Sequence, residues 1–330
     1  MTGKLRWEPA CSIQAMADRA ELNANIRRFF ADRQVMEVET PSLGSCSVTD
    51  PALHTFKTSF HLPGQHNGQP MFLQTSPEFA MKRLIAAGSG SIYQICKAFR
   101  NEESGRHHNP EFTLLEWYRV GFTLDDLIGE VEILVAEISP EGFVLHPPES
   151  LTYVDAFLGL LGIHPLDATL DELADIAVAR NIPEAKELCG DDRSIWLDLL
   201  FSYFVQPFLG QDRLTSVYRY PAFMPSLART CPDDERFVER VEIFLSGMEL
   251  GNGFHELINA EEQKARFQRD RKQRKAHGLP VPDMDERLLA ALRQGLPDCS
   301  GMAIGLDRLL MAFTRRHSLS EVLAFPLGQS

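Results

Sequence analysis

Two arginines far apart in the chain, Arg100 in FRNEE and Arg308 in GMAIGLDR, each adjoin a strand pattern. The planar arginine fork matches phosphate oxygens two at a time, so two of them converging from different segments would clamp a triphosphate. Gly301 and Gly305, just ahead of Arg308, let backbone come close to a nucleotide. The chain has no GxxxxGK followed by Ser or Thr, and no GxGxxG after a strand, so neither a P-loop nor a dinucleotide fold competes for this reading. Glu242 and Glu249 bracket an expected two-residue turn at Ser246-Gly247. Pairing across that turn sets Phe244 opposite Glu249, so Glu242, Phe244 and Glu249 share one sheet face. Two carboxylates beside phosphate-binding arginines suit Mg²⁺, a hard cation that shares oxygen ligands with phosphates. Taken alone, two such glutamates would read as solvent-facing strand residues.

The elements that must position these groups follow from periodicity. A helical stripe runs from about Ser12 to Arg33, and residues 35–45 alternate like a strand until Pro41, which cannot donate a ladder hydrogen bond. In TSPEFAMKRLIAAG, Thr75 or Ser76 can cap a helix, Pro77 suits its first turn and Glu78 its positive end. Residues 91–100 and 112–121 read as strands around the polar loop NEESGRHHNPE, and 125–138 as a helix. The stretch 146–212 is rich in helix signals and poor in reactive groups, and is expected to be an insertion packed on the main domain. Strand patterns return at 214–223 and 241–254, a polar helix spans about 260–277, and 301–316 is a glycine-bearing strand running into an amphipathic helix.

Composition sets outer bounds. With 44% hydrophobic and 24% charged residues, the chain is of globular type and can bury a sizeable core. No apolar run approaches the roughly 20 residues a bilayer demands, and MTGKLRWEPA lacks a secretory signal's apolar run, so a cytoplasmic protein without membrane contact is expected. Six scattered cysteines without a Cys-x-x-Cys pair indicate neither a zinc site nor a disulfide framework. A net charge of −13 repels a phosphate backbone, so extensive tRNA binding is not expected.

These pieces, in this order, resemble the three signature motifs of class II aminoacyl-tRNA synthetases. The first is the helix and strand ending at Pro41, the second is FRNE at 99–102 followed by RHHNPEF at 106–112, and the third is GMAIGLDR at 301–308. Within the class, TSPE at 75–78, HNPEFTLLEWY at 108–118 and MELGNGFHEL at 248–257 resemble lysyl-tRNA synthetases. The resemblance covers nearly the whole chain, with 146–212 its weakest part. It implies an α+β fold over 1–330, a single class II synthetase-like catalytic domain with an antiparallel β-sheet flanked by helices. Lysyl-tRNA synthetases carry an anticodon-binding barrel of roughly 100 residues ahead of the first motif. Here that motif is complete by Pro41, and no anticodon-binding domain is expected. The pattern is similar to the lysyl-synthetase paralogue family that attaches (R)-β-lysine to a lysine of translation elongation factor P. Ala303 agrees with that family, where lysyl-tRNA synthetases usually have glycine.

The resemblance also implies roles. Arg100 would hold the α-phosphate and the substrate carboxylate, while Asn101, Glu102, Asn109, Leu250 and Gly305 would line the ATP site. Glu102 and Asn109 would read the adenine edge, and Phe112 would stack on that ring against Arg308. Ser76, Pro77 and Glu78 would meet the substrate, with Glu78 taking the amino group near the reacting carboxyl. Asn252 would orient that carboxyl, Tyr118 with Glu256 would bind the distal ammonium, and Glu116 would add charge there. Glu242 and Glu249 would hold Mg²⁺, and motif one would form a homodimer interface. The bland readings stand beside these: Tyr118 and Phe112 as core, Glu78 as a helix-end charge, and the seven Lys/Arg residues between Lys264 and Lys275 as a solvated helix face, with docking of an acidic protein there a minor reading.

The expected reaction is attack of an amino-acid carboxylate on ATP, followed by transfer to an acceptor amine, with lysine or (R)-β-lysine as substrate and elongation factor P as acceptor. Its competitors are a free-standing truncated lysyl-tRNA synthetase, a non-catalytic synthetase-like regulator, and a ligase making a free small amide. Intact Arg100, Glu102, Glu242, Glu249 and Arg308 argue against the regulator. The lysine-type segments argue against the small-amide ligase.

Overall fold

The computed structural model describes residues 7–64, 67–224 and 227–329. Its frame is an eight-stranded sheet. In chain order the strands are β1 (Met36–Glu37), β5 (Ile92–Phe99), β6 (Glu111–Val120), β7 (His146–Thr152), β8 (Arg213–Pro221), β9 (Phe237–Leu245), β10 (Met248–His255) and β11 (Cys299–Gly305). Across the sheet they lie β1-β5-β6-β11-β10-β9-β8-β7. A small second sheet holds β2 (Leu43–Gly44), β3 (Lys57–Phe60) and β4 (Gln69–Leu73). The six inner strands pair antiparallel, whereas the outermost strands, β1 on β5 and β7 on β8, pair parallel.

One face of the large sheet is closed by α1 (Ile13–Asp32), α3 (Leu124–Ile138) and α10 (Leu306–Thr314). Ser12 caps α1 by accepting from the Ala15 amide, and Thr123 with Asp126 forms a reciprocal capping box on α3. Ile26, Phe30, Leu127, Val131, Leu309 and Leu310 from these helices pack on Leu115, Trp117, Ile243 and Ile304 from the strands. Each such side chain taken fully out of water contributes about 1.5–3 kcal/mol. Phe30 stacks on Tyr93 with ring centres 4.4 Å apart, and the Trp117 indole donates to Glu130 at 3.0 Å.

The other face is covered by two separate helix groups. At the β8–β9 end lie α4 (Tyr153–Leu161), α5 (Leu170–Ala179), α6 (Ala185–Cys189) and α7 (Arg193–Phe204), packed on Val217 and Phe244. At the β5–β6 end lie α2 (Glu78–Ala86), α8 (Ala260–Ala276) and α9 (Glu286–Gly295), packed on Ile92 and Tyr118. The uncovered strip of sheet between the two groups is the floor of the cavity described below.

Three expectations need adjustment. Residues 146–152 are not part of the helical stretch; they form β7, the edge strand beside β8, and the helices begin at Tyr153. The strand expected over 35–45 shrinks to the two residues of β1, because the chain leaves β5 before Pro41 and joins the small sheet at Leu43. Pro77 occupies the N-cap of α2 rather than its first turn, and the Glu78 amide donates to the Ser76 hydroxyl at 3.0 Å.

Candidate active site

The floor is a row of side chains crossing five strands. Gln94 pairs with Glu116, Glu116 with Ala303, Ala303 with Asn252 and Asn252 with Glu242. The Ser246-Gly247 turn has positive φ at both residues, 55° and 71°, and sets Phe244 opposite Glu249. Strict alternation from Glu249 would then turn Asn252 to the wrong face. A β-bulge between Glu249 and Gly251 adds one residue, so Glu249, Asn252 and Phe254 all face the cavity. Gly251 tolerates no side chain there, because a Cβ would lie 2.0 Å from the Ala303 carbonyl.

The cavity has a volume of about 480 Å³ and two chemically distinct ends. One is acidic. Glu116 is buried, accepting from Ser76 Oγ and from the Tyr118 hydroxyl, each at 2.8 Å. Burial, reinforced by the charge of Glu78, pushes its carboxyl up to about 8 against those hydrogen bonds. Glu78, on the first turn of α2, and Glu256, just past β10, meet across the buried ammonium of Lys82 at 2.6 and 2.5 Å. Burial also pushes Glu256 above the ordinary carboxylate value, and the ammonium of Lys82 opposes that shift. Burial disfavours the Lys82 ammonium, yet the carboxylates of Glu256 and Glu78 outweigh it and hold its pKa above the ordinary lysine value. Gly301 is required here: a Cβ would stand 2.4 Å from the Tyr118 ring and 2.6 Å from Glu256 Oε1.

The other end is basic. Arg308, on the first turn of α10, donates from Nε to the His107 carbonyl at 3.1 Å and from Nη1 to the Glu249 carbonyl at 2.8 Å. Its Nη2 lies 2.7 Å from His108 Nε2. Burial and then Arg308 lower the pKa of His108, which leaves a neutral ring able to accept that bond. Arg100 lines the same end, its guanidinium 5.1 Å from the Phe112 ring centre and 3.6 Å from Glu103. A cation held over an aromatic face beside a second arginine can bind phosphates and a flat base together.

A family model for class II tRNA synthetases (D, K and N) matches residues 9–329. Elongation factor P-(R)-β-lysine ligases align along the whole chain. The protein of that name from Vibrio atlanticus (strain LGP32) is 46% identical over 324 residues, 98% of this chain and 99% of that one. Those from Klebsiella pneumoniae (strain 342) and Salmonella typhi are each 46% identical over 333 residues, covering both chains fully. The chain belongs to this ligase family. With the family comes the class II fold, and the large sheet flanked by helices is its form here.

Set on that ligase fold, most of the residues singled out in the sequence converge. Ser76, Glu78, Glu116, Tyr118, Asn252, Glu256 and Ala303 line the acidic half and the floor. Arg100, Asn109, Phe112, Glu249, Leu250, Gly305 and Arg308 line the basic half. Asn109 is fixed by donating to the Glu111 carbonyl at 2.6 Å and accepting from the Leu327 amide at 2.9 Å.

Four residues depart from expectation. Pro77 faces a smaller neighbouring cavity behind α2. Asn101 does not line the site; its amide donates to the His54 carbonyl at 2.8 Å. Glu102 takes a positive φ of 67°, which turns its carboxylate towards His54 and leaves it 67% exposed; Glu103 lines the cavity instead. Glu242 shares the sheet face of Asn252 but does not line the cavity; it is covered by Tyr220, from which it accepts at 2.6 Å, and paired with Arg240. Moreover, the guanidinium over Phe112 is that of Arg100, while Arg308 is drawn to the His107–His108 loop. A Cβ at Gly305 would meet only ordinary contact, at 3.5 Å, so close approach is enforced at Gly301 and Gly251.

The site also uses residues the sequence reading passed over. Lys82 reads as one more charge on a helix, and Arg240 as one more on a strand. Asp307 accepts from the Thr113 amide at 2.9 Å and pairs with Arg19, anchoring the start of α10. The one signal for Lys82 in the sequence is its place four residues after the acid Glu78, an i,i+4 pair beside the apolar Met81 and Ile85.

The carboxylates suit a hard cation in chemical kind. Glu249 lines the cavity, and burial together with the charge of Glu249 lifts Glu242 to about 7 against Arg240. Glu249 is thus the carboxylate placed to meet a phosphate-bound Mg²⁺, whereas both oxygens of Glu242 are held by Tyr220 and Arg240.

Proposed function

We propose that this chain activates (R)-β-lysine with ATP and transfers it to a lysine side chain of elongation factor P. The observation that carries the reading is the charge layout of the cavity. At its acidic end Glu78 and Glu256 share one cation, Lys82, and Glu116 stands beside them with no cation of its own, so an arriving ammonium meets one unmatched carboxylate and a second carboxyl that ionises as it binds. A diamino acid supplies two ammonium groups for that end and one carboxylate for the arginine end. The names of the relatives supply the isomer and the acceptor.

In the first step the substrate carboxylate attacks the α-phosphorus of ATP in line, forming the mixed anhydride and releasing pyrophosphate. Arg100 meets the carboxylate and the α-phosphate, Arg308 the remaining phosphate charge, and Phe112 the adenine ring, with Asn109 at its edge. Glu78 takes the amino group nearer the carboxyl, Asn252 orients the carboxyl, and Tyr118 with Glu256 takes the distal ammonium. Glu249, with Glu242 behind it, would hold Mg²⁺, which neutralises charge on the phosphates. No side-chain nucleophile is needed, since positioning and charge stabilisation suffice. In the second step a neutral lysine amine of the acceptor attacks the activated carbonyl, forming an amide and releasing AMP.

The same reading takes the chain as one catalytic domain that works in the cytoplasm, uses a protein rather than tRNA as acceptor, and pairs as a homodimer. Support for pairing comes from exposed apolar side chains on the N-terminal elements, Ile13, Met36, Leu43 and Phe60. None of the described helices is long and apolar enough to cross a membrane. ATP–pyrophosphate exchange with lysine, (R)-β-lysine and (S)-β-lysine side by side tests the activation step. Exchange driven best by (R)-β-lysine is expected, and no exchange with any of the three would overturn the reading.

A further inference from the structure

Lys82 is 2% exposed and lies outside the cavity wall, so a bound substrate does not touch it. It nevertheless contacts the two carboxylates proposed to read the substrate's ammonium groups. Its Nζ takes one oxygen from each, Glu78 Oε1 and Glu256 Oε2. The other oxygen of Glu256, Oε1, abuts Gly301 on the cavity floor. Glu78 likewise lines the cavity while its Oε1 is held from behind.

Stability alone gives no reason for this arrangement. The neighbours on α2 that share its core, Met81 and Ile85, are fully buried apolar residues. A buried ion triad is commonly no more stable than apolar packing of the same volume, because desolvation cancels the attraction. We infer that Lys82 is a positioning residue for substrate selection: it holds Glu78 and Glu256 charged and turns one oxygen of each towards the amino-acid pocket. This rests on the proposed function, since it names how that pocket reads two ammonium groups.

The other titratable groups facing the triad are Glu116 and Tyr118 from β6, Cys299 from β11, and Arg229. Arg229 is the only cation among them, and it is engaged by the Glu256 carbonyl and by Asp298. Without Lys82, therefore, buried Glu256 and half-buried Glu78 face one another with too little positive charge. Burial then drives Glu256 further towards its protonated form, in which it loses an acceptor oxygen.

The test is the pH dependence of kcat/KM for (R)-β-lysine in ATP–pyrophosphate exchange, in wild type, K82M, K82R and the double variant E78Q/K82M. Exchange by wild type establishes the activity itself, and its absence would count against the proposed function rather than against Lys82. Given that activity, K82M should raise KM for the amino acid at least tenfold at pH 7, with KM for ATP within twofold. Its acid limb should move alkaline by about one pH unit, whereas K82R should keep the limb where wild type has it. The double variant removes one charge of each sign and serves if K82M does not fold; its Glu256 limb should also move alkaline. An acid limb unmoved in K82M, or in the double variant if that alone folds, would reduce Lys82 to a structural residue and overturn the inference.

Discussion

Asn252 lies directly across the ladder from Glu242, although Glu249, three residues earlier, already faces the same way. The bulge between Glu249 and Gly251 makes both true, and it carries Phe254 and then Glu256 into the cavity wall. The extra residue is what lets Glu249 and Asn252 share a face although they are three positions apart. Deleting Leu250 should remove the bulge and leave Asn252, then two positions from Glu249, still opposite Glu242 and facing the cavity. Amino-acid-dependent exchange retained in that variant would check this, and its loss in a variant that keeps a cooperative thermal transition would refute it.

Gly301 sets the second constraint. An added methyl would overlap both the Tyr118 ring and Glu256 Oε1. G301A should therefore lose amino-acid binding while retaining ATP binding, since the clash lies at the acidic end. E256Q should act on the same half by a different route, leaving the distal ammonium unbalanced and costing on the order of 2–5 kcal/mol of amino-acid binding. Calorimetric titration of each variant with amino acid and with ATP would separate the two ligands.

At the basic end, R100A and R308A should each lower the rate of exchange on the order of 100-fold or more, by leaving developing phosphate charge unmatched. Exchange unchanged in both would remove the arginine clamp from the mechanism.

The elevated Glu116 pKa, about 8 in the free protein, gives a proton-release signature. At pH 7 the group is largely protonated. An ammonium bound nearby favours the carboxylate and lowers that pKa, so binding of a diamino acid should expel a proton between about pH 6 and 8. The apparent binding enthalpy should then differ between buffers of different ionisation enthalpy, and E116Q should abolish the difference. Equal enthalpies in the wild-type protein would contradict the assignment.

What was legible in the sequence is what local rules encode. The Ser246-Gly247 turn has one favourable form, so the Phe244–Glu249 pairing could be read directly. The start of α2 announced itself through Ser76, whose hydroxyl accepts from the Glu78 amide, and α1 and α3 through their helical periodicity. What escaped depends on tertiary context. The bulge leaves no mark in the alternation of MELGNGF. The strand at 146–152 is a polar edge beside β8, with none of the apolar alternation that announces a buried strand. Lys82 resembles any helical lysine until Glu256, far along the chain, is brought against it. Glu102 turns outward because of a left-handed backbone that its sequence neighbours do not dictate.

Ala303 rises from the floor between Glu116 and Asn252, where the amino acid's carbon chain would rest. A303G should shift preference towards α-lysine by about 1–3 kcal/mol, the worth of one methyl-sized group in a pocket. Ratios of kcat/KM for the two isomers would measure it, and an unchanged ratio would discard the pocket argument without touching the activity.

The acceptor is the central claim. Incubation of the protein with ATP, each lysine isomer, purified elongation factor P and bulk tRNA, followed by intact mass spectrometry and acid-precipitable label, tests it most directly. The account predicts that factor P gains the mass of one lysyl residue on a lysine side chain, most efficiently with (R)-β-lysine, while tRNA stays uncharged. Efficient charging of tRNA with no mass added to factor P would contradict it and make the chain a free-standing synthetase.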